Sequence, residues 1–386
     1  MKIGIITQPL AVNYGGLLQN YALQQALIKF GHEVYTINRN DFPNIYTVSK
    51  YVALKFYIMH IIRRILGKPS SLQSFRQWGI SYQDYIKIRM SCKDFVENNI
   101  KTTELFKTQQ ELQEIIEKYN FNGYVVGSDQ VWRPIYSLNI YNDFLDFCHD
   151  KKNIKRIAYA ASFGVDNWEF NDEQTKECSR LAKMFNAISV REESGIKLCK
   201  EHLGIDAIHV LDPTLLLEKE DYIKLAEQNN EKESEGKLFC YILDTNDSIK
   251  RAIDNIENKM SLKSFQVKAK KSLSAYNSKD NIEDYVIPSP TKWIRAFMDA
   301  KMVFTDSFHG CVFSIIFNKP FWVIGNNERG NARFDSLLKL FKLETRRISL
   351  EDINCVDLTT PIDWNAVNTI KKEWLKKSTE FIKKYL

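Results

Sequence analysis

Only six histidines occur among the 386 residues, and His309 stands in a segment, MVFTDSFHGCVFSIIF, that could put it to chemical use. An apolar run, Met302–Thr305, ends in Asp306 and Ser307, and His309–Gly310 opens a second apolar run of helical length. Asp306 or Ser307 can cap that helix, which leaves His309 in its first turn. Free N–H groups and the positive end of the helix dipole gather there. An imidazole able to move a proton thus shares its place with a seat for phosphate, unless His309 merely caps or packs. The next strand-like run, Phe321–Ile324, exits into GNNERGNARF, where Arg329 and Arg333 flank a Gly-Asn turn at the following helix start. Two guanidinia beside a helix N-terminus make an anion pocket, to which Ser307 can add a hydroxyl; the plain alternative is a pair of surface arginines.

Three earlier strand ends offer further groups. The first strand leaves into TQPLAVNYGGLLQN, where Asn13, Gly15 and Gly16 form a tight loop at a helix start. Glycine lets backbone approach a ligand there, or the loop is a plain turn. The spacing is neither GxGxxG nor GxxxxGK[ST], so neither a dinucleotide fingerprint nor a P-loop is supported. The run Gly123–Gly127 exits into GSDQVW, placing Ser128, Asp129 and Gln130 at the sheet edge. Asp129 is a candidate base, or the oxygen of a helix cap or Asx-turn. The run Ala187–Arg191 ends on Arg191, which can fork onto a phosphate or carboxylate or pair with Glu192 and Glu193. No His, Cys, Asp or Glu cluster has metal-ligand spacing, and no GxSxG elbow occurs.

The elements that carry these ends alternate along the chain. Short β-branched runs are separated by stretches of helical period, which argues βαβ units, parallel sheets and an α/β class. Length favours two domains or three, and 44% hydrophobic with 26% charged residues is globular composition. The segment QNNEKESEGK, Gln228–Lys237, has no apolar residue, and the alternation restarts after it. Two doubly wound, Rossmann-like domains are therefore expected, at 1–230 and 236–345. A tail at 346–386 ends in an amphipathic closing helix, with Val367, Ile370, Trp374, Phe381 and Tyr385 near one face.

Asn44–Arg89 stands apart, as the basic, aromatic core of a helical insertion at 44–100. It carries eight Lys and Arg against Asp84 alone, while the net charge of the whole chain is only +6. Such a segment suits an anionic membrane surface or a lipid diphosphate, or forms a solvated face over a core helix. Nucleic acid is not expected, because the charge is local and no binding motif accompanies it. Val52–Leu66 is too short and too charged to span a membrane. Seven scattered cysteines with no CxxC pair suit a reducing compartment. The N-terminus reads as a strand rather than an export signal, so a cytoplasmic protein, peripheral at the inner membrane face, is expected.

In this order and spacing, NYGGLLQNYALQ, GSDQVW, SVREESG, LDPTLLL, DSFHG and GNNERGNARFDSLLKLF resemble the polysaccharide pyruvyl transferase family. The resemblance runs from Met1 to about Arg346. It implies a GT-B-like pair of domains with a cleft between them. It also implies transfer of an enolpyruvyl unit from phosphoenolpyruvate to a sugar, giving a cyclic pyruvate ketal and free phosphate. The histidine of the family's Arg-Leu-His motif corresponds to His309, and its strand-end arginine to Arg191. Ser307 and Phe308 stand where that motif's arginine and leucine would be, so Arg329 or Arg333 has to supply a donor-binding guanidinium. His309 is then proton donor or phosphate stabiliser, and Asp129 the acceptor-side base. The 1–230 domain would take the sugar acceptor, soluble or linked to polyprenyl diphosphate, and the 236–345 domain the phosphoenolpyruvate. Positive charge comes from side chains and helix ends, so neither cofactor nor metal is required. Two other readings stand beside this one: a GT-B glycosyltransferase using a nucleotide sugar, and a catalytically inactive scaffold for surface-polysaccharide assembly.

Overall fold

The computed structural model of the chain describes residues 1–39, 58, 80–325 and 331–386. Most of the basic segment Asn44–Arg89, and Arg329, lie outside the described residues.

Six parallel strands form the first sheet: β1 (Lys2–Ile6), β2 (Glu33–Thr36), β3 (Gly123–Val126), β4 (Lys155–Ala161), β5 (Ala187–Val190) and β6 (Ile208–His209). Their order is β2-β1-β3-β4-β5-β6. Strand β3 is buried along its length and β4 beyond its first residue, as continuous apolar runs require when helices cover both faces. The chain reverses its direction of winding between β1 and β3. At such a point the loops leaving the two strands diverge to opposite faces and open a crevice. Those loops carry Asn13–Gly16 and Ser128–Gln130.

The second sheet is also parallel, in the order β11-β10-β9-β7-β8. Its strands are β7 (Leu238–Tyr241), β8 (Ser264–Phe265), β9 (Met302–Thr305), β10 (Phe321–Ile324) and β11 (Arg347–Ile348). Here the reversal falls between β7 and β9. The Asp306 carboxylate closes that gap, accepting from the amides of Leu243 at 2.8 Å and Asp244 at 3.1 Å. Asp306 is thereby committed to the loop, and Ser307 caps the helix Phe308–Ile316 by accepting from the Gly310 amide.

The domains meet through an apolar seam. Tyr14, at the start of the helix Tyr14–Lys29, packs on Trp293 of the helix Pro290–Asp299 and donates its hydroxyl to the Pro288 carbonyl at 2.8 Å. Tyr222 meets Phe313 edge-on at 4.9 Å. The helix Trp364–Tyr385 then returns to the first domain, where Phe381 packs on Tyr159 and the Ser378 hydroxyl accepts from the Leu211 amide. This is the closing helix expected from its apolar stripe. No helix among the described residues is long and apolar enough to cross a membrane. Six of the seven cysteines are buried as free thiols, and burial pushes Cys92 up to about 12.

Candidate active site

Two helix starts face each other across the seam. His309 is the second residue of Phe308–Ile316, and its ring lies against the first turn of Tyr14–Lys29. A Cβ built on Gly15 would stand 2.0 Å from His309 Nδ1 and 2.4 Å from Cγ, so only glycine fits. At Gly16 the same construction meets Asp129 Oδ2 at an ordinary 3.4 Å. The Gly15–Gly16 pair thus has the imidazole of one domain beside its first residue and the Asp129 carboxylate beside its second. Asn13, the residue before the helix, does not cap it; its amide donates to Asp129 Oδ2 at 3.2 Å. The helix start keeps its N–H groups directed at this spot, where they favour an anion.

Arg191 lies at the end of β5 with 4% of its surface exposed. Its Nη1 donates to Asp212 Oδ2 at 2.8 Å, Nη2 lies 3.6 Å from Asp129 Oδ1, and Nε lies 4.0 Å from Glu192 Oε2. Nε and Nη2 have no hydrogen-bond partner among the described residues. Burial opposes the charge, but Asp212, Asp129 and Glu192 outweigh it and raise the guanidinium further. Arg333, on the helix Ala332–Phe341, is also buried. The two guanidinium carbons stand 4.5 Å (Arg191) and 5.9 Å (Arg333) from the centre of the Phe308 ring. The one ring therefore carries two cations. Burial, and then the neighbouring Arg191, push Arg333 down to about 10. Two like charges beside three carboxylates in one buried space, one of the guanidinia strongly perturbed, mark a candidate functional site.

Other expected contacts have different duties. Ser128 is fully buried; its hydroxyl donates to the Ala160 carbonyl at 2.7 Å and its amide to Gln19 Oε1 at 2.8 Å. It shapes the β3 exit and does not face the cleft. Gln130 is tied into the same loop, receiving Arg133 on its side chain and Gln8 on its carbonyl. Ser307 is engaged as the helix cap.

Two residues were not among the expected site groups. Gln19 joins the loops of β1 and β3 by donating to Thr7 and accepting from Ser128. Asp212 follows β6, pairs with Arg191, and lies 3.7 Å from His309 Nε2. Burial alone would raise the Asp212 carboxyl, but the imidazole and the guanidinium hold it well below the usual range. The motif LDPTLLL reads as a strand end and a turn; the rule that strand exits carry ligands, had it been applied to this sixth strand, was the one signal able to find it. Among the described residues no group of three or more His, Cys, Asp or Glu could hold a metal ion.

Two open clefts flank this centre. One, of about 740 Å³, lies beyond the ends of the second sheet and is lined by Asp244, Asp306, Glu344 and Glu351, with Arg347. The Arg347 guanidinium is itself paired with Asp335. The other, of about 710 Å³, runs between Val12 and Tyr14 of the first domain and Tyr241–Leu243 and Lys268–Lys271 of the second.

A family model described as polysaccharide pyruvyl transferase matches residues 13–328. No curated protein matches the sequence. Among solved structures, the chain is similar to UGT89C1 of Arabidopsis thaliana complexed with UDP-L-rhamnose. The identity is 9% and the TM-score 0.51, over 99% of this chain and 98% of that one. It is also similar to the UDP-GlcNAc 2-epimerase of Methanocaldococcus jannaschii, at 11% identity and a TM-score of 0.50, over 97% of this chain and 99% of that one. At such identities the likeness shows the fold alone, two Rossmann-type domains in a GT-B-like arrangement.

Proposed function

The chain belongs to the polysaccharide pyruvyl transferase family, and from that premise we propose that it transfers the enolpyruvyl unit of phosphoenolpyruvate to a sugar of a surface polysaccharide or its lipid-linked precursor. One observation carries the reading. Two helix starts meet at His309 at the junction of the domains, and two buried guanidinia, Arg191 and Arg333, lie over the ring of the adjacent Phe308. Phosphoenolpyruvate is a small, multiply charged anion, and fixed N–H groups and guanidinia of this kind neutralise it without reorganising.

The chemistry follows from the placement. His309 gives a proton to the methylene carbon of the enol, which makes the adjacent carbon electrophilic. A sugar hydroxyl adds to that carbon, and Asp129, beside the second glycine of the loop, takes its proton. Phosphate leaves towards Arg333 and the helix starts, and a second hydroxyl closes the ketal ring as its proton restores His309; the proton on Asp129 leaves with the phosphate. Arg333 stands in for the guanidinium that Ser307 does not provide. With His309 at 6% and Arg191 at 4% exposure, the donor reaches them when the domains part at the seam. The 710 Å³ cleft beside Tyr14 leaves room on the adjoining side for the acceptor. The basic segment Asn44–Arg89 would hold the enzyme at an anionic membrane or at a polyprenyl diphosphate.

A nucleotide sugar is the competing donor, because the solved structures of similar fold act on or bind uridine nucleotides. The cleft beyond the second sheet argues against it here. Four carboxylates among its described lining residues repel a diphosphate, and its one guanidinium is paired. The test is phosphate release from phosphoenolpyruvate with a panel of free and lipid-linked saccharides, alongside calorimetric titration of UDP, GDP and phosphoenolpyruvate. Turnover that needs the sugar and disappears in His309→Ala is expected. Binding of a nucleotide but not phosphoenolpyruvate would overturn the proposal.

A further inference from the structure

Asp212 is a buried carboxylate with both oxygens hydrogen-bonded, and it touches both domains. Its Oδ1 accepts from the Thr214 amide at 3.0 Å and the Thr214 hydroxyl at 2.6 Å. Its Oδ2 accepts from Arg191 Nη1 at 2.8 Å and lies 3.7 Å from His309 Nε2. His309 Nε2 has no hydrogen-bond partner among the described residues, and the Asp212 carboxylate is the charged group that it faces. The other ring nitrogen, Nδ1, lies on the Gly15 side.

We propose that Asp212 is the positioning residue of this site. Fixed by Thr214 on one oxygen, it cannot swing. With the other oxygen it keeps His309 Nε2 towards itself and seats Arg191 against the same point. Nδ1, beside the free N–H groups of the facing helix start, is then the nitrogen that hands over the proton. A carboxylate set against one nitrogen of an imidazole fixes the ring's orientation and leaves the other nitrogen for chemistry. Because Asp212 and Arg191 belong to the first domain and His309 to the second, the acid is in register only when the domains are closed. The proton's destination rests on the pyruvyl-transfer reading; the coupling of Asp212 to His309 does not.

The experiment uses the full chain and Asp212→Asn, which keeps the shape and removes the charge. Two readouts are followed: steady-state kinetics with phosphoenolpyruvate, and the His309 ring resonances at fixed pH, assigned by their loss in His309→Gln. The remaining charged groups of the site, namely Arg191 and Glu192 at the β5 exit, Asp129 at the β3 exit and Arg333, stay in place. In Asp212→Asn, kcat is expected to fall about 10²-fold, with a smaller rise in KM. The ring resonances should move from their parent positions. A kcat within threefold of the parent and unmoved ring resonances would overturn the proposal, whatever happened to Tm. Thr214→Val covers a failure of Asp212→Asn to fold. It removes the hydroxyl's hydrogen bond to Oδ1, keeps the amide's and the charge, and should lower kcat about fivefold; an unchanged kcat there overturns the proposal as well. A parent with no turnover of phosphoenolpyruvate but ring resonances that move in Asp212→Asn refutes the pyruvyl reading and leaves the coupling standing.

Discussion

Gly15→Ala adds one methyl group at the point where the two domains touch. The new carbon would lie 2.0 Å from Nδ1, 2.4 Å from Cγ and 2.6 Å from Cε1 of His309. Ordinary contact is about 3.5 Å, so the ring or the helix start has to yield by about 1.5 Å. Neither is free to move cheaply. The Tyr14 hydroxyl is bonded to Pro288 across the seam, and the helix bearing His309 is buried from Phe308 to Ile316. Crowding of this kind costs about 1–3 kcal/mol. Alanine regains up to about 1 kcal/mol over glycine in a helix, so the net loss is about 0–2 kcal/mol and Tm falls by a few degrees. Activity should respond far more. Misplacing a reacting group by about 1 Å costs about 10²-fold, so kcat should fall at least that much while the protein stays folded. Phosphate release measured beside a thermal melt separates the two effects. Gly16→Ala is the control, since its methyl group meets nothing closer than 3.3 Å and should change kcat less than about fivefold. A Gly15→Ala enzyme with kcat within threefold of the parent would refute the claim that the glycine exists to admit the imidazole.

Three further outcomes follow from the same geometry. Burial and Arg191 hold Arg333 down at about 10, so the charged form carries a cost at every pH below that value. An anion offsets it, and phosphate or phosphoenolpyruvate at pH 7 should raise Tm in the parent and clearly less in Arg333→Met, in a thermal-shift titration. The Asp212 carboxyl is held below its usual range by His309 and Arg191. It therefore contributes stability that is complete above about pH 4 and lost as pH falls further; melts from pH 6 to 2 should show a shallower acid loss in Asp212→Asn. Replacing the eight basic residues of Asn44–Arg89 with glutamine should reduce sedimentation with anionic but not neutral liposomes, and equal sedimentation of both proteins would exclude a membrane role for the segment.

Much of the architecture was written in local pattern. Met302–Thr305 and Phe321–Ile324 have the bounds read from the sequence, because polar residues stop each apolar run abruptly. The edge strand Ser264–Phe265 is only two residues long, since Lys268 and Lys270 beyond it turn to solvent. The helix Met90–Asn99 falls inside the helical insertion expected at 44–100, but it buries only Cys92, Phe95 and Val96 among charged and amide side chains, too few for a period that fixes its bounds. At the site, His309 and Arg191 were visible as polar residues at strand ends. Asp212 was hidden in a proline turn that looks purely structural.

The order of residue types along this chain sufficed for two α/β units, for the strand ends at which polar groups collect, and for the helix starts that follow them. Periodicity and capping are properties of neighbours in sequence, and they need no fold to be read. Which of those strand ends meet is another matter. That Gly15 admits the ring of His309, that Phe308 bears both Arg191 and Arg333, and that Asp212 reaches across to the imidazole depend on how two domains close over an apolar seam. The contacts of Gly15, Arg191 and Asp212 with the His309 turn join residues about 100 to 300 positions apart, and packing between the domains, not local pattern, selects them.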